Sequence, residues 1–355
     1  MSDTFDACLD AIEAFLAKEW SDGLPVVPPT EKRIAAALEA LAPHLPDEVV
    51  GMVPPRGGRV TVRDVAVHAV LAGCRPEYAP VVLAALRAVL RPRFNLLGVQ
   101  ATTHGVAPLI VVGGPVVEQI GVNSGTNVFG EGFRANATIG RALRLLLLNA
   151  GGGRPEAGDK ATIGHPGKYT FCIGENAAAL GTWAPLHHTL GVEAANGVTV
   201  FGCEAPHSVL AHGGAADILE AMASALATLA GNPTWYAGQV LVVFGAEHAA
   251  AIHREGWSRR DVQMFLHERA RVPLAALTRS GERLDNPARW PRWVTAAGAM
   301  DPGYRMPVMR EPDDVLVTTA GGQGAFSAVL PGWGYMGGFA VAEPIDPAPD
   351  AGKPR

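Results

Sequence analysis

LIVVGGPVVEQIG (residues 109–121) and LVVFGAEHAAAIHREG (residues 241–256) share one order: an apolar run, a glycine, then apolar residues at helical spacing. A short uninterrupted run of aliphatic residues suits a strand covered on both faces, and the glycine behind it permits the tight turn into a helix. VLVTTAGGQG (residues 315–324) offers a third such run. Either one unit recurs two or three times, or these are the runs that any α/β protein produces; the sequence leaves both open. Working outward, helical periodicity predicts helices over 5–18, 33–41 (capped by Thr30), 61–73, 76–90, 137–150, 217–229, 246–254 and 258–271. Strand-like runs fall at 97–102, 109–112, 169–174, 198–203, 240–244 and 315–319. The expected class is α/β, a mixed sheet with helices on its faces. Residues 1–60 form a helical, proline-rich N-terminal segment, 61–345 the catalytic domain with lobes at about 61–160 and 161–345, and 346–355 a loose tail.

Composition narrows the partners. With 48% hydrophobic and 18% charged residues in 355, the chain can bury a core and is not a disordered one. Its 29 Lys and Arg against 34 Asp and Glu give a net charge of -5, and no basic block could track phosphates, so nucleic acid is not an expected partner. No apolar stretch reaches membrane-spanning length, and the acidic N-terminus has no apolar leader, which predicts a cytoplasmic address. Cys8, Cys74, Cys172 and Cys203 are scattered without a CxxC, so reduced thiols are expected and a zinc ribbon is not.

Chemistry concentrates in IGHPGKYTFCIGEN (residues 163–176), which places His165, Lys168, Tyr169, Cys172, Glu175 and Asn176 around one strand and its carboxyl end. Cys74 and Arg75 sit in GCRPEY (residues 73–78) before a helix, where amide dipoles and a guanidinium favour a thiolate. Glu204 and His207 follow the run at 198–203, and His104 follows the run at 97–102. Asn123, Arg134 and Asn136 precede a helix and could clamp an anion. Gly321, Gly322 and Gln323, with Ser327 beyond, could present amides to a carboxylate or phosphate, but they lack the order of a nucleotide-binding loop. The charged residues at 259–271 read as a solvated helix face.

The runs DGLPVVPPT (22–30), AGCRPEY (72–78), GVQATTH (98–104), RANATIGRA (134–142), GHPGKYTFCI (164–173) and AGGQG (320–324) together resemble a bacterial family associated with proteins carrying a selenocysteine- or cysteine-Gly-Ser-Cys (UGSC-type) motif. The similarity spans roughly 22–331. This chain has no Cys-Gly-Ser-Cys, which sets it apart from a thiol-redox reading. The resemblance implies a bacterial enzyme-like protein whose distinctive residues lie in the loops above, and it brings no reaction with it.

The expected function is a hydrolase or lyase acting at a carbon–heteroatom bond of a small polar, anionic substrate, without an organic cofactor. Cys74 or Cys172 would attack or protonate, His165 and His104 would move protons, and Lys168 with Arg134 would hold the anion. Two alternatives stand beside it. One is a metal-dependent enzyme using a transition metal on His104, His165, Glu204 and His207; the other is a non-catalytic subunit that binds a partner. A homo-oligomer is the ordinary expectation for such an enzyme.

Overall fold

In the computed structural model, residues 2–229, 231–273, 276 and 303–346 are described. Its elements run α1 (Ser2–Ala17), α2 (Glu31–Ala40), β1 (Val49–Val53), β2 (Gly58–Thr61), α3 (Val62–Ala72), α4 (Ala79–Leu90), α5 (Leu96–Ala101), β3 (Ala107–Gly113), α6 (Val116–Gln119) and α7 (Arg134–Asn149). They continue with β4 (Cys172–Gly174), α8 (Ala177–Leu180), α9 (Leu186–Thr189), β5 (Gly197–Cys203), β6 (His207–Leu210), α10 (Ala215–Leu226), α11 (Asn232–Tyr236), β7 (Val240–Phe244) and α12 (Ala246–Arg254). The last are α13 (Arg259–Arg269), β8 (Arg271–Pro273), β9 (Arg305–Pro307), β10 (Val315–Thr319), β11 (Phe326–Pro331) and β12 (Val341–Pro344). The α/β class is as the sequence predicts, and the expected tail lies, beyond Asp346, outside the described residues.

The apolar runs form strands because both of their faces find a core. In β3, Ile110 and Val112 join a cluster with α3, α4 and α7, while Leu109 and Val111 join one with Leu241, Val243, Leu316 and Leu330 of a second sheet. On that second sheet Val240, Val242, Phe244, Val315 and Val317 turn outward to α10, α12 and α13. The layers therefore run helix, sheet, sheet, helix. Each fully buried Leu, Ile, Val or Phe side chain in these three clusters contributes about 1.5–3 kcal/mol relative to exposure.

The two four-stranded sheets have the same topology. One is ordered β4-β3-β5-β12 and the other β10-β7-β11-β6, and each reads parallel, antiparallel, antiparallel across its three pairings. Helices correspond as well: α4 packs on α7 and β5, and α10 packs on α13 and β11. The matching stretches at 109–121 and 241–256 thus occupy equivalent places, and the repeat has two members. The third run, at 315–324, is β10, which corresponds to β4 and leads into β11 without a helix. The halves also exchange their last strands: β6 leaves the first half to pair with β11, and β12 returns from the second to pair with β5. By this equivalence the first half ends with β6 at Leu210 and the second begins with α10 at Ala215.

Several local expectations change. Residues 97–102 are not a strand; Asn95, at φ 52°, caps α5 by accepting from the Gly98 amide, and the segment closes as a helix. The strand expected from Tyr169 begins only at Cys172, because Pro166 starts a short 3-10 turn that carries the chain through Lys168. In contrast, α3 has the predicted ends: Thr61 and Asp64 form a capping box, and Gly73 at φ 90° stops the helix.

The proline-rich segment is tied down by Asp22, whose carboxylate takes a two-pronged bond from Arg141 of α7 at 2.8 and 2.7 Å. Burial opposes the Asp22 charge, yet the Arg141 bonds outweigh it and hold the carboxyl below its usual value of 3.8. Buried His68 is shifted down from 6.5, so it resists protonation in the fold. Both shifts have the same sign for stability. The His68 contribution is whole above 6.5 and falls away as the solution acidifies, and the Asp22 contribution is whole above 3.8 and is lost below it. Acid unfolding followed by circular dichroism should show both steps, and Asp22→Asn should remove the lower one; an unchanged profile below 3.8 would refute the Asp22 assignment.

Candidate active site

The residues named from sequence fall into three places. A cleft of about 480 Å³ is lined by His165, Gly167, Thr170, Phe171, Cys172, Asn136 and Pro206, under the loop Val128, Phe129 and Gly130. On the other side of that loop an adjoining depression of about 390 Å³ is lined by Gly321, Gly322, Gln323, Ser327 and Ser208, and shares Pro206. Cys74, Arg75 and Arg134 line a third hollow, of about 340 Å³, that shares no residue with the other two.

Beside the first cleft, antiparallel pairing of β3 with β5 brings Ala107 opposite Cys203, so the residues before one strand meet those after the other. That register carries His104 to Glu204, and the histidine Nε2 lies 2.8 Å from Oε1. With Nε2–H donated to the carboxylate, Nδ1 holds the lone pair, and it is buried without a partner. The neighbouring chain contributes His165: the Thr162 amide donates to the Thr103 carbonyl, and Gly105 packs against Gly164. His165 Nδ1 accepts from the Gly167 amide at 3.1 Å, so its proton sits on Nε2, which is buried and makes no aligned hydrogen bond. Burial pushes the His165 pKa down; the Cys203 carbonyl and Glu204 pull it back up, while Lys168 and Arg144 add to the fall. The ring is therefore neutral near pH 7.

Lys168 does not hold an anion in the cleft. Its Nζ is 2.6 Å from Asp159, with Arg144 3.8 Å away, and burial lowers both cations' pKa values. This trio keeps one surplus positive charge behind His165. Tyr169 is half exposed, and His207, at the start of β6, is exposed; neither reaches the His104–Glu204 pair as a bonded partner. Arg134 bonds the Gly73 carbonyl at 2.9 Å in the third hollow, so the expected Lys168–Arg134 clamp is not assembled.

The thiols are corrected as well. Burial raises Cys74 to about 12, despite help from Thr138 and Arg134, and it raises Cys203 well above 9.0. Cys172 rises likewise, so desolvation exceeds the helix-end and arginine effects that favoured a thiolate. A thiol titration at pH 7.5 should therefore show one fast group, Cys8, which is the exposed cysteine. Fast modification of any of the other three in the native fold would contradict this.

Other named residues hold structure together. Asn123 and Asn136 bond reciprocally, the Asn123 amide to Asn136 Oδ1 at 2.7 Å and Asn136 Nδ2 to the Asn123 and Cys172 carbonyls. Asn176 caps α8, and its backbone joins Thr319 across the two halves. Ser327 donates to His248 Nδ1 at 2.7 Å, and His248 Nε2 donates to the Ala211 carbonyl, which locks α12 onto β11. Glu175, 2% exposed, accepts from the Leu186 amide and from the Thr318 hydroxyl at 2.6 Å. Burial raises its pKa against these donors and the nearby charge of Arg259. Sequence reasoning missed Arg259, which is not on a solvated face: it lies over the Trp183 ring and donates to the Ala184 carbonyl. The turn at 181–183 that brings Trp183 under Arg259 left no local signal.

Among the described residues no group of three or more His, Cys, Asp or Glu side chains is placed to hold a metal ion. The set His104, His165, Glu204 and His207 is accordingly not gathered as ligands: the first pairs with Glu204 and the last points to solvent. No described helix is long and apolar enough to cross a membrane. No protein-family model matches the chain, and no curated protein or solved structure is significantly similar to it.

Proposed function

We propose that the chain is an enzyme that breaks or forms a carbon–heteroatom bond next to a carbonyl group, in a small polar substrate bound in the His165 cleft. The supporting observation is the division of labour between two half-buried imidazoles, His165 in the lining of the cleft and His104 beside it. His104, its Nε2–H fixed by Glu204, offers an unpartnered Nδ1 lone pair as general base, and Glu204 stabilises the imidazolium that forms. His165 offers the opposite, an Nε2–H on a neutral ring that faces the Cys203 carbonyl without an aligned hydrogen bond and can turn to a substrate carbonyl oxygen as negative charge develops there. The surplus positive charge of Lys168 and Arg144 over Asp159 favours that anionic oxygen, and an anionic substrate, in the same place.

In this reading the base removes a proton from carbon or from water, the oxygen charge is held by His165, and His104 returns the proton to the leaving heteroatom. No thiol takes part. The test is a turnover screen of the purified chain against small amides, esters, hydroxy acids and amino acids, with a His104→Gln/His165→Gln double variant as the matched blank. Turnover by the native chain that disappears in the double variant supports the proposal. Turnover that survives in the double variant, or none on any class, overturns it.

A further inference from the structure

The third hollow shares no lining residue with the other two. Its floor is apolar, made by Val27, Ala36, Ala37, Ala69 and Val70, and its volume is about 340 Å³. Its rim is cationic, and the cations come from three separate elements: Lys32 and Arg33 from the first turn of α2, Arg75 from the junction after α3, and Arg134 from the first turn of α7. Among the described residues the only carboxylate paired with any of the four is Glu77, at 3.9 Å from Arg75, which leaves the rim strongly positive. Arg134 is held in place by its Nε bond to the Gly73 carbonyl, so its terminal nitrogens are not used by that bond. Arg134 and Arg75 have these partners in the fold, whereas Lys32 and Arg33 have no side-chain partner among the described residues. Lys32 and Arg33 repel each other and their neighbours at no visible gain to α2, whose first turn is also served by Glu31.

We propose that this hollow binds an aliphatic dicarboxylate, its methylene body on the alanine and valine floor and its carboxylates on the cationic rim. An inorganic anion would leave the floor unused, and a monocarboxylate would engage only part of the rim. The site does not depend on the acid–base chemistry assigned to the His165 cleft, with which it shares no lining residue.

Isothermal titration of the full chain with adipate, hexanoate and inorganic phosphate tests it. Adipate should bind with one-to-one stoichiometry, more tightly than hexanoate or phosphate. Arg75→Gln and Lys32→Gln should each weaken adipate at least fivefold, with Arg75→Lys recovering part of the loss, and both residues are exposed so the fold should tolerate them. Absence of adipate binding, or binding that the variants leave unchanged, overturns the proposal. Phosphate binding as tightly as adipate overturns the dicarboxylate assignment. Because the readout is binding, none of these results depends on turnover at His165.

Discussion

Glu204→Gln should lower kcat by about 10²-fold or more, and His104→Ala by roughly 10²–10⁴-fold, with thermal unfolding little changed. The reasoning is geometric. Glu204 is partly exposed and bonds His104 alone, so its removal leaves no buried group stranded. Gln keeps an oxygen to receive Nε2–H but cannot neutralise the imidazolium that forms once Nδ1 takes a proton. Loss of activity with a preserved melting curve is the signature of that role. A melting temperature that falls in step with activity would place the pair among structural contacts instead.

Glu175→Ala is expected to be the most damaging single change to stability. The carboxyl group sits at the seam between the two halves and receives the Leu186 amide and the Thr318 hydroxyl, one from each side. Truncation leaves both donors buried and unpaired, at about 1–3 kcal/mol apiece, which corresponds to a melting temperature lower by roughly 5 °C. Glu175→Gln keeps an acceptor and should cost much less. The pH dependence has the opposite sign to that of Asp22. Because the folded pKa of Glu175 lies above 4.5, its ionisation penalises the fold as pH rises from the ordinary carboxyl range through the folded value. Differential scanning calorimetry of the two variants across that range decides the matter: an alanine variant as stable as the parent would remove Glu175 from the seam.

What could be read ahead of the structure follows from where each signal is stored. Strands β3, β5, β7 and β10 announced themselves because both faces are covered, so every position is buried and most are apolar. Strands β6 and β12 did not, because each is a short edge strand whose partner comes from the other half and whose residues are mixed. The segment at 97–102 misled because its aliphatic residues suit a strand, and the deciding cap at Asn95 lies outside the run. His104, His165 and Glu204 were named as chemistry-bearing residues, but their arrangement depends on β3 and β5 pairing in one register, a hundred residues apart, which no local spacing encodes. The cysteines failed for a different reason. Proximity to Arg75 and a helix start was visible, and the depth of burial that cancels it was not.

The exchanged strands also bear on how the molecule is made. During synthesis the first sheet emerges with β5 as a bare edge, since β12 is encoded after every strand of the second sheet. Until that late segment leaves the ribosome, Gly197–Cys203 presents unpaired backbone groups on an apolar strand, the kind of edge that recruits other chains. Nascent chains stalled before residue 341 should therefore be clients of chaperones, and the protein becomes self-sufficient only when its closing strand arrives.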